Sequence, residues 1–425
     1  MQNRRRLRTR FIFGLVAGIV ASATVAGLVI WGRTNDPAVP PPARAAQKDV
    51  TCDSQKTREP CSQIEVAGRL WRYAFLPAET KTAETVLLDF GGPGLSALSG
   101  SAGISVFRST YPRLAQRYNV LAIEEPWVTE PVPDECGKTQ TAYYLAFRNG
   151  TGAGTDEGLA VARTCGLSDH RQRWGFDAES YRSVVAAINR EHGTRLSGFI
   201  GHSWGSVRLA YLGGDAVVWS ILLRPFPVGV GADRLIEART NAINGAIGAV
   251  TPIAPGQVRD RSLEVTAFDQ LSAVVDLGYV SSQSYDSTAE AVYSGARKEQ
   301  IGKLSDALWG RYGTDFLSPG NLAQFQEVCS VVGASSRRVS TITSPSDVLL
   351  ARHAPCGEMR RQELSATTAS KACVVTSKRD SVAPDALVRE VYGKTADGVR
   401  FVVSEERSHS SFDGIEACLS MPGVL

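Results

Sequence analysis

A chain of 425 residues, 43% hydrophobic and 21% charged, has the composition of a globular protein with room for about two or three domain-sized units. Its formal net charge of +3 depends on five N-terminal arginines, Arg4, Arg5, Arg6, Arg8 and Arg10, and +3 minus 5 leaves −2 for the rest. That balance gives no electrostatic support to a nucleic-acid partner.

Phe11 to Gly32 carries no charge and is rich in Ile, Val, Leu, Ala and Gly. Behind a basic segment such a run reads as an export signal. It approaches the roughly 20 residues that span a bilayer, so residues 1–33 are expected to be a cleaved signal or a membrane anchor. Ala43-Arg44-Ala45 offers a small-residue cleavage site, and the arginines favour an N-terminus left in the cytoplasm. Either way the folded part is expected outside the cytoplasm. Residues 34–48, with Pro37 and Pro40-Pro41-Pro42, read as an extended linker.

The eight cysteines all lie beyond the apolar run, and none has C-x-x-C spacing. The histidines do not cluster with them, so no metal site and no cofactor are expected. In an oxidising compartment the cysteines should form disulfides. Pairing of sequence neighbours is the expectation: 52 with 61, 136 with 165, 329 with 356, 373 with 418.

Gln63 to Val66 and Arg69 to Leu76 alternate polar and apolar residues around Gly68, the pattern of an edge hairpin. Thr85 to Phe90 and Asn119 to Ile123 are short apolar runs that fit buried strands. The first ends in Gly91-Gly92-Pro93-Gly94, the second in Glu124-Glu125-Pro126. Asp177 to Glu191 has helical spacing in Tyr181, Val184, Val185 and Ile188. Leu196 to Ile200 and Val217 to Leu223 are further strands. From 231 to 364 helical stretches dominate (Asp233 to Ile247, Leu263 to Leu277, Lys298 to Tyr312, Leu322 to Cys329) and no run reads as a buried strand. Ala372 to Thr376, Ala386 to Tyr392, Val399 to Val403 and a helix from about Phe412 restore the alternation. The expected fold class is α/β: a mainly parallel, doubly wound sheet over 49–230 and 365–425, with a helical cap inserted at 231–364.

Gly201-His202-Ser203-Trp204-Gly205 joins an apolar run (Leu196, Phe199, Ile200) to a helix-compatible one (Val207, Leu209, Tyr211, Leu212). This is the context of a nucleophile elbow, in which a serine sits on a sharp turn between strand and helix. A serine hydroxyl needs a base. His409, on a polar loop after the last strand, can reach the carboxyl ends of the strands, where ligands bind in open α/β sheets. His202 should point away from Ser203; His170 and His192 precede the elbow, and His353 beside Pro355 and Cys356 reads as structural. The base needs a carboxylate, and Asp380 follows the strand Ala372 to Thr376. Asp385 and Asp413 compete for that role, Asp385 reading better as a helix cap. The order Ser203, Asp380, His409 is that of an α/β-hydrolase. For an oxyanion hole, Trp204 supplies one backbone N–H and Gly92 the other, since Pro93 has none.

Gly-Gly-Pro-Gly, Gly-His-Ser-Trp-Gly-Ser, Arg-Asp-Ser-Val-Ala-Pro and Ser-His-Ser together resemble the prolyl iminopeptidase and tripeptidyl aminopeptidase family of α/β-hydrolases, with exported actinobacterial members the most similar in kind. The resemblance covers roughly Cys52 to Cys418 and is weakest in the helical insertion. It implies Ser203 as nucleophile, His409 as base, Asp380 as acid, Gly92 and Trp204 as oxyanion donors, no metal, and cleavage of one to three residues from free peptide N-termini. Arg224-Pro225 stands where an Asp-Gly is usual. An α-ammonium also needs carboxylates; Glu124 and Glu125 are candidates, with Glu237, Asp269 and Asp276 in the insertion. The expected partner is a peptide substrate. The alternatives are an esterase or lipase on the same triad and a catalytically silent envelope protein of this fold.

Overall fold

The structure, a computed structural model, describes residues 61–98, 104–168, 174–246, 250–259, 261–312 and 316–424. The expected signal or anchor at 1–33, the expected linker at 34–48, Cys52 and His170 lie outside the described residues. Cys61–Val66 (β1) and Arg69–Leu76 (β2) form an antiparallel hairpin, followed by Glu84–Asp89 (β3), Ile104–Thr110 (α1), Pro112–Arg117 (α2) and Asn119–Ile123 (β4). Asp134–Arg148 (α3), Gly154–Thr164 (α4) and Ala178–Glu191 (α5) lead to Arg195–His202 (β5), Gly205–Leu212 (α6) and Trp219–Leu223 (β6). Next come Ala232–Ala246 (α7), Ala267–Asp276 (α8), Ser282–Ser294 (α9) and Lys298–Leu308 (α10). Arg311–Tyr312 (β7), Phe316–Leu317 (β8), Pro319–Val332 (α11) and Pro345–Arg352 (α12) complete that stretch. Lys371–Thr376 (β9), Asp385–Tyr392 (α13), Arg400–Val403 (β10) and Ile415–Leu419 (α14) return to the sheet.

Eight strands make one sheet in the order β1-β2-β4-β3-β5-β6-β9-β10. Both contacts of β2 are antiparallel and every other pairing is parallel. Alternation along the strands divides the core between two faces. Val86, Leu88, Ile200, Ile221 and Val375 pack with Phe107 of α1, Leu114 of α2 and Leu419 of α14. Leu87, Phe199, Leu222 and Val374 pack on the opposite side with Val184 and Ile188 of α5 and Val207 of α6. Covered on both faces, the central strands β3, β4, β5, β6 and β9 are mostly buried and read as apolar runs, whereas the edge strands β1 and β10 are not. The chain steps from β3 outward to β4, then returns to place β5 on the other side of β3. That reversal opens a crevice at the strands' carboxyl ends, and Asp89 of β3 lies beside Gly201 of β5 there.

The insertion departs from the sequence reading in several places: α9 and α12 are not among the expected helices, and α10 ends at Leu308 rather than Tyr312. Helix α8 begins at Ala267 rather than Leu263, because Thr266 and Asp269 form a capping box that sets its start. Strands β7 and β8 form a small antiparallel pair, β7 at the end of the stretch expected to be helical and β8 between two such stretches; two-residue strands are too short to leave an alternation. Disulfides join Cys136 to Cys165, Cys329 to Cys356 and Cys373 to Cys418, each a pairing of neighbours. Cys61 is disulfide-bonded too. The last of the three bonds ties β9, which leads to Asp380, to the C-terminal helix α14. Among the described residues no helix is long and apolar enough to cross a membrane.

Candidate active site

Ser203 sits on the turn between β5 and α6 with φ +51°, in the left-handed region that non-glycine residues seldom adopt. The turn is held by the Ser203 N–H donating to the Leu223 carbonyl (2.9 Å), and by Phe226 N–H and Ser206 Oγ donating to the Ser203 carbonyl (3.0 and 2.9 Å). The flanking glycines answer to space. A Cβ on Gly205 would lie 3.1 Å from the Asp89 carbonyl, and one on Gly201 would lie 2.5 Å from the Phe199 ring. Across the crevice, the loop after β3 passes so close that a Cβ on Gly91 would lie 2.5 Å from the His202 carbonyl and 3.2 Å from both Ser203 Cβ and Trp204 N. The N–H groups of Gly92 and Trp204 donate to no acceptor among the described residues. Two free donors beside a serine are the parts of an oxyanion hole.

The structure brings Ser203, His409 and Asp380 into one hydrogen-bonded series. His409 Nε2 lies 2.7 Å from Ser203 Oγ, and His409 Nδ1 lies 2.8 Å from Asp380 Oδ2. A carboxylate only accepts, so the ring proton sits on Nδ1 and Nε2 is left to accept from the serine hydroxyl. Asp380 also accepts the N–H groups of Val382 and Ala383 at 2.8 and 3.0 Å. Burial alone raises its carboxyl, but His409, the Ala383 N–H and Arg224 outweigh it and hold it below the ordinary aspartate range. The competing aspartates are engaged elsewhere: Asp385 opens α13 and pairs with Arg389 (2.7 Å), and Asp413 accepts from Ser404 Oγ (2.7 Å).

Two further residues brace His409. His202 is stacked on Phe412 and donates from Nε2 to the His409 carbonyl at 2.6 Å. Burial, then the neighbouring His409, push its pKa down to about 3, so its ring stays neutral. Arg224, with φ +48°, donates to Ser404 Oγ (3.0 Å), the Glu406 carbonyl (2.9 Å) and the Ser411 carbonyl (3.2 Å). It therefore clamps the loop that carries His409. The other described histidines stand apart: His353 is buried with Nδ1 on the Leu349 carbonyl, and His192 stacks on Phe75.

Glu124 and Glu125 do not face a substrate as free carboxylates. Glu124 accepts the N–H groups of Ala97, Leu98 and Glu125 and the Ser96 hydroxyl, so its oxygens are saturated and it braces the loop beyond Gly94. Glu125 accepts Gly94 N–H (2.6 Å), Trp127 Nε1 (2.8 Å) and Arg208 Nη2 (2.8 Å). The same Arg208 nitrogen reaches Glu327 Oε1 at 2.8 Å, and Glu327 Oε2 accepts Trp204 Nε1 at 2.8 Å. One buried ionic chain thus joins the glycine loop, through Glu125, Arg208 and Glu327, to the residue after Ser203. Of the other acids, Asp269 is paired with Arg148 and Arg261 (2.8 and 2.7 Å) and Glu237 is exposed on α7. Asp276 is 8% exposed and has no hydrogen-bond donor among the described residues.

No protein-family model matches the chain, and no curated protein matches it. Among solved structures, an α/β-hydrolase enzyme from a Medee basin deep-sea metagenome library is similar over 84% of this chain and 96% of its own, with 8% identity and TM-score 0.39. The enol-lactonase from Burkholderia xenovorans covers the same shares with 12% identity and TM-score 0.38. A hydrolase from Pseudomonas aeruginosa covers 81% and 90% with 12% identity and TM-score 0.35. At such identities and scores they say nothing of this chain's substrate. The strand order, the crevice beside β3 and the strand–serine–helix turn make the chain an α/β-hydrolase by fold.

Proposed function

We propose that the chain is an exported serine hydrolase that releases fragments of one to three residues from peptide N-termini through an acyl-enzyme. The observation that carries the hydrolase is the 2.7 Å contact between Ser203 Oγ and a His409 ring whose other nitrogen is fixed by Asp380. Ser203 attacks the scissile carbonyl while His409 takes its proton, and the N–H groups of Gly92 and Trp204 receive the oxyanion. His409 then protonates the leaving amine, and water repeats the sequence on the ester. Three disulfides fit an oxidising compartment. The peptide specificity is supported by the motif resemblance. A second reading, an esterase on the same triad, is favoured by the engagement of Glu124 and Glu125 with their own chain, which removes two carboxylates from the service of an α-ammonium.

The test is hydrolysis of chromogenic mono-, di- and tripeptide amides by wild type and Ser203→Ala, set against N-acetylated versions and a short acyl ester. Serine-dependent cleavage confined to free-amine peptides supports the aminopeptidase; equal or faster ester turnover replaces it with the esterase. No serine-dependent turnover leaves the silent fold. Gly91→Ala is a finer probe, because its Cβ would enter the space between Ser203 and the Trp204 N–H at φ +84°. It is expected to cut kcat on the order of 10²-fold with an unchanged far-ultraviolet circular dichroism spectrum, on whichever substrate the wild type turns over.

A further inference from the structure

The helical insertion meets the triad through the short turn that follows α8. The Gly278 carbonyl accepts the His409 N–H (2.7 Å), and the Tyr279 carbonyl accepts the Ser408 hydroxyl (3.1 Å). Ser282 Oγ, at the start of α9, accepts the Arg407 N–H at 3.0 Å. Three consecutive residues of the loop that carries His409 are thereby tied to the insertion. The same turn lies against the Asp380 loop, since a Cβ on Gly278 would lie 2.7 Å from both Ser381 Oγ and Val382 Cγ2.

These bonds fix where Tyr279 stands. Its ring meets the His409 ring edge-on, with centroids 5.4 Å apart and planes at 88°. His409 is 1% exposed and Tyr279 41%, so the tyrosine is the part of this contact that meets solvent. One exposed apolar ring is ordinary on a protein surface. Tyr279 differs in touching an imidazole whose Nε2 lies 2.7 Å from Ser203 Oγ. Among the described residues two rings touch that imidazole, and the other, His202, is buried. The Tyr279 hydroxyl makes no hydrogen bond among the described residues, which leaves the ring as the group on offer.

With Ser203 as nucleophile and His409 as base, the oxyanion faces the N–H groups of Gly92 and Trp204. The leaving atom must take its proton from His409 Nε2, so it departs over the imidazole. A group attached to that atom runs along His409, towards the exposed ring beside it. We infer that Tyr279 is a specificity-determining residue that packs against the leaving group, favouring bonds followed by an aromatic or aliphatic residue over bonds followed by glycine. The inference rests on the reading of Ser203 and His409; the alcohol of an ester would meet the same ring. Because the turn is already pinned by hydrogen bonds, covering the ring costs little further ordering.

The experiment compares the amines that two such bonds would release, phenylalaninamide and glycinamide. Each is tested for protection of Ser203 from a fluorophosphonate, which reports the activated serine whether or not a substrate is turned over. Wild type, Tyr279→Phe and Tyr279→Ala are used, each normalised to its own labelling rate so that a general loss of alignment cancels. In wild type and Tyr279→Phe, phenylalaninamide should protect at a concentration lower by about tenfold or more, and Tyr279→Ala should bring the two amines within about threefold. During turnover of any ester or peptide, phenylalaninamide should likewise outcompete glycinamide for the acyl group. There the amine nitrogen attacks the acyl carbonyl, its proton passes through His409 to Ser203 Oγ, and the ester bond to the serine breaks. Equal protection by the two amines in wild type overturns the role of the ring. So does a preference that Tyr279→Ala leaves in place, one that Tyr279→Phe removes, or acyl transfer that does not discriminate. A wild-type protein that does not label at all overturns the reading of Ser203, and the inference with it.

Discussion

Ser203→Ala or His409→Ala is expected to lower kcat on the order of 10⁶-fold, and Asp380→Asn about 10⁴-fold, on any substrate the wild type hydrolyses. The three act as one unit, so combining Ser203→Ala with His409→Ala should cost little more than either alone. The smaller effect at Asp380 follows from its position, since it touches only Nδ1 and fixes the tautomer that leaves Nε2 free to accept. An asparagine that offers its amide to Nδ1 selects the other tautomer. Asp380 also has a signature in stability. Its carboxyl is held below the ordinary 3.8, so the folded state binds its proton more weakly than the unfolded chain does. That contribution is complete above about pH 4 and disappears as pH falls through the depressed value. Asp380→Asn has no such contribution to lose. The stability gap between wild type and Asp380→Asn should therefore narrow on acidification below about pH 4, read from urea melts, while kinetics at neutral pH carry the full catalytic loss. A gap independent of pH would mean that the His409–Asp380 contact does not hold the carboxylate in its ionised form.

Ser203, His409 and Asp380, which the structure brings together, are legible because each sits in a short motif at a strand's end. The elbow, the glycine loop and the two C-terminal loops can be found without knowing the fold. Sheet topology then brings residues 203 and 409 within 2.7 Å. What supports them was not legible. Arg208 reads as one more polar position on a helix, and its partners Glu125 and Glu327 stand 83 and 119 residues away. The one local signal was Glu327 itself, a carboxylate among Leu322, Phe325 and Val328 on a helix that is mostly buried. Glu124 and Glu125 are candidates for an α-ammonium by sequence because they end a central strand and could reach the cleft. Strand position alone does not reveal that backbone N–H groups of the next loop turn back to satisfy them. Arg224 looked like a departure from the family pattern, and its role appears only when the loop it clamps is folded over it.

Arg208→Met should be the most damaging substitution outside the triad. Arg208, Glu125 and Glu327 have side chains 2%, 4% and 0% exposed, and the guanidinium lies 4.2 Å over the Phe176 ring. Methionine fills the volume but leaves Glu125 and Glu327 facing each other without a cation. Breaking a buried pair in this way costs about 3–5 kcal/mol, enough to consume much of a domain's stability. The pH dependence separates this cause from a packing defect. Burial pushes Glu125 up to about 8 and raises Glu327 as well, with Arg208 opposing both shifts. A carboxyl raised in the folded state contributes stability that is complete below its unfolded value of 4.5 and is lost as pH rises through the folded value. Without Arg208 both carboxyls rise further, so the loss continues past the wild-type value and the variant should fall further below wild type as pH rises beyond about 8. Urea melts at about pH 6 and about pH 9 decide it: a gap of equal size at both would assign the damage to packing alone. Surviving folded protein should also show a kcat reduced by about 10- to 10³-fold with KM little changed. Glu125 holds Gly94 of the glycine loop and Glu327 holds the Trp204 indole, so the donors proposed at Gly92 and Trp204 should shift, and such donors act on charge that develops only in the transition state.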